Sequence, residues 1–228
     1  MKIEKFDLLP STQTYAKEKR KDKEDLIVLA KRQTSGMGTK GRSFSSNEGG
    51  VYVSKLSFHE NFPAKEAFKI MAFTAVAVCE TLSFYGLTPK IKWPNDIFVN
   101  DKKISGILIE QVISGGSIVS SIVGVGLNVC NELPEELLEI ATTMEQALGK
   151  KLSVEEVANH LIKELLKERK MENYLSYLGY MGREATLRIG DELVPATLLS
   201  VDERGELLVE IHGEKRRLSA AEVSVRGL

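Results

Sequence analysis

From Lys90 to Asn131 the chain alternates short extended runs with tight-turn signals, and that rhythm restricts the fold more than any other part. Pro94-Asn95, Asn100-Asp101 and Gly115-Gly116 mark the breaks. Pro fixes φ and Asn tolerates unusual backbone angles, so each break reads as a turn between strands. The stretch from Gln111 to Asn131 carries no charge, which raises the question of a membrane span. Its serines and glycines bring too much turn and hydroxyl chemistry for a lipid-facing helix. Two buried strands, 104–113 and 117–129, fit better.

Lys92, Asn95, Asp96, Lys102 and Lys103 fall at the ends of those strands, where side chains converge. Lysines attract anions, and an Asp beside an Asn can hold a hard cation such as Mg²⁺. The mix suits a polyphosphate with its metal; it also suits a plain polar hairpin end.

The remaining chain frames this centre. Residues 2–9 read as a strand, Ser11 as an N-cap for a charged helix reaching about Lys21, and Leu26–Ala30 as a buried strand. Val51–Phe58 is another strand. Pro63 opens a helix with Phe68, Met71, Ala72, Ala75, Val76, Cys79 and Leu82 on its inner face, closed by Gly86. A helical region is expected from about Pro134 to Tyr177, interrupted at Gly149 and restarted by a Ser153–Glu156 capping box. Residues 184–225 break into short strands at Gly190-Asp191, Arg204-Gly205 and His212-Gly213, the pattern of a small β-barrel. The expected division is 1–182 and 183–228. So short a tail has a thin core and should dock on the larger unit.

Between Thr34 and Gly50 lie five glycines among polar residues. Closely spaced glycines let backbone N–H groups turn toward one anion, and Lys40 and Arg42 add charge. The spacing matches neither a Walker loop nor GxGxxG. His59, His160 and His212 belong to no metal or nucleophile pattern. Chemistry is thereby left to lysines, arginines, backbone amides and a metal, a set that serves attack on phosphorus. The net charge of −1 provides no cationic field for nucleic acid or acidic membrane. Cys79 and Cys130 have no CxxC spacing, and residues 1–25 lack an apolar leader core, so a reduced cytoplasmic protein is expected.

Taken together, Lys92-Trp93-Pro94-Asn95-Asp96, Lys102-Lys103-Ile104-Ser105-Gly106-Ile107-Leu108-Ile109-Glu110 and Gly124-Val125-Gly126-Leu127-Asn128 resemble biotin protein ligases in order and spacing. Ser11-Thr12-Gln13 and Gln33 extend the likeness over essentially the whole chain. The resemblance implies an α+β fold, a mixed-sheet biotin/lipoate ligase-like catalytic domain followed by an SH3-like barrel. It implies that ATP and biotin form biotinyl-5′-AMP, whose acyl group passes to a lysine of a biotin carboxyl carrier domain.

By the same resemblance, Ser11, Thr12, Gln13 and Gln33 would meet the ureido ring. Met37, Gly38, Thr39, Gly106, Leu108 and Gly124 would line that pocket, and Lys103 would bridge the carboxylate and the α-phosphate. Lys40, Arg42 and Lys92 would serve the phosphates, Asn95 and Asp96 the Mg²⁺ and its bound nucleotide oxygens, and Phe44, Asn128 and Arg226 the nucleoside.

Met37, Thr39 and Phe44 stand where the family usually has Arg, Arg and Trp, which predicts a less firmly held adenylate unless Lys40 or Lys103 compensates. The early Ser11 leaves no room for an N-terminal helix-turn-helix, as in the monofunctional form. A homodimer through the 104–130 edge is compatible with the pattern. The competing readings are a lipoate-type ligase of the same fold and a non-catalytic biotin or nucleotide sensor.

Overall fold

The computed structural model describes residues 1–220 and 223–225, the side chains of Lys40 and Ser224 excepted. Three long strands form its centre: β3 (Gly50–Pro63), β6 (Lys102–Ser114) and β7 (Ser117–Asn128). They join β1 (Lys2–Leu9), β2 (Leu26–Gln33), β4 (Lys90–Lys92) and β5 (Asp96–Val99) in one sheet, ordered β1-β2-β3-β7-β6-β5-β4. The β1–β2 pair is parallel and the others antiparallel. The uncharged 111–131 stretch forms the end of β6 and all of β7, as its turn chemistry indicated.

Side-chain parity explains why the two faces of this sheet differ. Val51, Val53, Ile107, Val125 and Leu127 point to one face and bury against Ala72, Ala75, Val76 and Cys79 of α2 (Phe68–Phe84). Half of the most apolar 18-residue window of the 64–84 segment is buried, and its hydrophobicity is used there. The opposite parity carries Ser54, Leu56, Gly106, Leu108, Ile122, Gly124 and Gly126. Only Leu56 and Ile122 meet a small apolar cluster, under Ala16 of α1 (Thr12–Lys19). The glycines leave the rest of that face as a trough.

The 134–177 region holds α3 (Met144–Leu148), α4 (Val154–Leu165) and α5 (Met171–Tyr177), but residues 138–142 are not helical. They lie along the start of β6, with Lys103 N donating to Ile140 O (2.9 Å) and Thr142 N to Lys103 O (2.9 Å). Those bonds claim backbone groups that a helix would need. Ser153 caps α4 through Glu156 N (3.3 Å), while the full reciprocal box occurs at Thr143 and Gln146.

The second sheet comprises β8 (Glu184–Ile189), β9 (Glu192–Val201), β10 (Leu207–Ile211), β11 (Glu214–Leu218) and β12 (Val223–Val225). All its pairings are antiparallel, in the order β11-β10-β9-β8-β12. Its core residues Leu187, Leu207 and Val209 are continuous with the core beneath the large sheet.

The junction between the sheets is specific. Trp93 Nε1 donates to Gly205 O at 3.0 Å, and the Phe68 ring lies flat against the Gly205 backbone. Gly205 has φ +81°, and a Cβ there would overlap that ring. Gly205→Ala is therefore expected to cost about 2–4 kcal/mol by combining left-handed strain with overpacking. Urea unfolding measures it; a loss under ~0.5 kcal/mol would mean the junction yields easily.

Candidate active site

Ser11 ends the β1–α1 connection and caps the helix, accepting from Thr14 N at 3.4 Å. This places Ser11, Thr12 and Gln13 at the helix start, all buried, facing the trough. Thr12 N and Thr12 Oγ1 both donate to Gln33 Oε1, at 2.7 and 3.1 Å. Gln13 reaches across the sheet: its Nε2 lies 3.3 Å from Glu110 Oε1, and its Oε1 lies 3.2 Å from Ser54 Oγ. A Cβ at Gly124 would come within 2.6 Å of that Oε1. Glycine is thus what lets Gln13 lie on the sheet.

The 34–49 loop folds over this floor. Gly38 N donates to Arg42 O (2.6 Å), and Phe44 N to Gly36 O (2.9 Å). Phe44 lays its ring across Gly126, where a Cβ would come within 2.5 Å of Cε1, and beside Gly106. Arg42 is exposed and held by Thr39: Nε donates to Thr39 O (3.3 Å) and Nη2 to Thr39 Oγ1 (3.0 Å). The threonine that replaces an expected cation thus fastens the neighbouring one. Met37 sits exposed at the rim.

At the far end, Lys103 Nζ and Asp96 Oδ1 are paired at 2.6 Å. Asn95 is fixed beneath them, donating from Nδ2 to Ile107 O at 2.9 Å. One cavity is lined by Ser11, Thr12, Gln13 and Gln33, by Met37, Gly38, Thr39, Arg42 and Phe44, and by Asn95, Asp96, Lys103, Gly106, Leu108 and Gly124. Amide-recognising groups occupy one end and opposite charges the other. Such an arrangement can hold a polar ring, a carboxylate and a phosphate in line.

Two of the expected residues do not line this cavity. Lys92 extends along its hairpin, with Nζ 5.4 Å from the Phe98 ring centre. Asn128 is buried, donating to Thr142 O (3.2 Å) and accepting from Asn131 Nδ2 (3.2 Å). The side chain of Lys40, and Arg226, lie outside the described residues. Ser54 and Ser46 were not singled out from sequence, and Gly126 was quoted in its motif without a role of its own. Ser54 and Gly126 line the cavity, and buried Ser46 accepts from Gln33 Nε2 at 2.9 Å. The legible signal for Ser54 was a hydroxyl placed among apolar strand positions.

No cluster of three His, Cys, Asp or Glu side chains able to hold a metal occurs among the described residues. Asp96 with Asn95 fits an Mg²⁺ that brings phosphate and water ligands with it, the usual mode for that ion. A second cavity, of about 620 Å³, lies between β1–β3 and the start of α4. Its rim lysines, Lys5 and Lys31, are already paired with Glu155 and Asp7.

A sheet trough closed by a glycine loop and ending in a lysine–aspartate pair can seat a carboxylate against a phosphate. The chain belongs to the biotin/lipoate A/B protein ligase family, whose model matches residues 5–128. It is 32% identical over 238 residues to the bifunctional ligase/repressor BirA of Bacillus subtilis, covering 96% of this chain and 72% of that protein. It is 31% identical over 105 residues to the biotin–[acetyl-CoA-carboxylase] ligase of Paracoccus denitrificans, covering 45% of this chain and 43% of that one. The solved biotin protein ligase of Aquifex aeolicus in complex with biotin and ATP superposes with a TM-score of 0.79 at 29% identity, covering 100% of this chain and 98% of that one.

Proposed function

We propose that this protein activates biotin with ATP and transfers it to a lysine of a biotin carboxyl carrier domain, residues 1–182 forming the catalytic unit and 183–228 its buttress. The observation that carries this reading is a single cavity holding Thr12 and Gln33 at one end and Lys103, Asp96 and Arg42 at the other. Relatives named as biotin ligases, and a solved relative bound to biotin and ATP, support it.

Thr12, Gln13 and Gln33 hold the ureido ring, with Ser11 behind them. Gly106, Leu108 and Gly124 leave room for the ring and chain. The biotin carboxylate attacks the α-phosphorus and pyrophosphate leaves, giving the acyl-adenylate. At about 4 Å in a screened site, the two anions repel by about 4 kcal/mol. Lys103 turns from Asp96 to lie between them, and Arg42 holds the outer phosphates. Asp96 would hold a Mg²⁺ ion, which would supply neutralising charge to the phosphates. Phe44 covers the product and keeps water from the mixed anhydride. The carrier's lysine amine then attacks the acyl carbon, AMP leaves, and an amide forms.

Beyond Ile107 the outer edge of β6 pairs with no strand among the described residues. That edge is where a second copy of the chain would add. The reduced, cytoplasmic setting is part of the same proposal.

Incubation with biotin, ATP, Mg²⁺ and a biotin carrier domain should add one biotinyl group, read by intact mass. Modification with lipoate but not with biotin would reassign the substrate. Biotin binding without pyrophosphate release would leave a sensor.

A further inference from the structure

We propose that Ser46 is a positioning residue that couples occupancy of the biotin end of the cavity to the placement of Phe44 over the nucleotide end. The inference rests on the function proposed above and adds a residue and a role to it. Its basis is a hydrogen-bond chain whose polarity is fixed by backbone groups at both ends. Thr12 N can only donate, so the atom 2.7 Å away must be Gln33 Oε1. Gln33 Nε2 then faces Ser46 Oγ at 2.9 Å and donates to it. The one hydroxyl hydrogen of Ser46 is left for Phe44 O, 2.9 Å away, which can only accept. Thr12 Oγ1, donating to Gln33 Oε1, must accept from Ser54 Oγ at 2.9 Å.

Ser46 is 5% exposed, so water does not readily replace either of its bonds. Gly36 makes the approach possible: a Cβ there would overlap both Phe44 O and Ser46 Oγ. At the end of the chain, the Phe44 ring and Lys103 Nζ both border Gly106, 3.3 and 3.4 Å from the point a Cβ would occupy. A ligand that engages Gln33 therefore tightens, through one hydroxyl, the segment that sets Phe44 beside Lys103. Linked hydrogen bonds strengthen one another in this way. Ser46→Ala cuts both links and removes one atom.

The test is calorimetric. Biotin affinity is measured alone, and the affinity for α,β-methylene-ATP with Mg²⁺ is measured with and without saturating biotin. The wild-type protein should bind the nucleotide analogue about tenfold more tightly when biotin is present, within the usual span of site–site coupling. Ser46→Ala should bring that ratio within about twofold of unity while weakening biotin alone less than about fivefold, and Ser46→Thr should restore it. A role limited to stability would change the melting temperature and leave the ratio intact. Phe44→Ala, which keeps the carbonyl but removes the ring, should also abolish the ratio, and it decides the matter if Ser46→Ala does not fold. An unchanged ratio in Ser46→Ala, or in Phe44→Ala, overturns the proposal while the ligase function stands. A wild-type protein that binds no biotin overturns both.

Discussion

Lys103→Ala should slow adenylate formation by at least about 100-fold while biotin still binds. The anion–anion repulsion of about 4 kcal/mol at ~4 Å corresponds to roughly a thousandfold in rate. Losing Lys103 also leaves Asp96, its partner at 2.6 Å, as an unneutralised charge facing the incoming phosphate. The change is therefore worse than removal of one helper. Biotin-dependent pyrophosphate exchange reads the effect directly. A rate within a few-fold of wild type would take Lys103 out of the chemistry.

Gly124→Val should reduce biotin affinity by about 100-fold, or about 2.7 kcal/mol, while overpacking costs about 1–3 kcal/mol of stability. Gly124 has an ordinary strand backbone, so valine suits its conformation and raises β-propensity. Its first side-chain carbon, however, would lie 2.6 Å from Gln13 Oε1. Gln13 is 3% exposed and has little room to retreat. The expected pair of results, a protein that still melts cooperatively but has lost biotin binding, separates site from scaffold. Normal affinity in Gly124→Val would show that the trough is not where the ring lies.

The strand rhythm, the turns and both glycine-bearing motifs were legible because turn chemistry is local. Gln33 and Lys103, seventy positions apart, could be assigned to one site only through the resemblance, since strand order is decided by long-range pairing. Lys92 and Asn128 show the limit of motif reading. Lys92 is paired across its hairpin with Asp96, yet its long stem runs toward Phe98. Asn128 turns to a carbonyl at Thr142, a partner set by how the 130–143 segment returns. Its part from about Pro134 read as helix because its hydrogen bonds to β6 leave no trace in periodicity. Ser46 was one serine among Ser43, Ser45 and Ser46, and only the fold distinguishes it.

The indole of Trp93 sits inside the most diagnostic motif of the large sheet, yet its hydrogen bond ends on a turn of the small one. Protease nicking or trimming near that turn would thus reach the chemistry from behind, by slackening the hairpin that presents Asp96. The small sheet is a keystone in that sense: its core is continuous with the one beneath the large sheet, so its loss is expected to unseat the catalytic face as well.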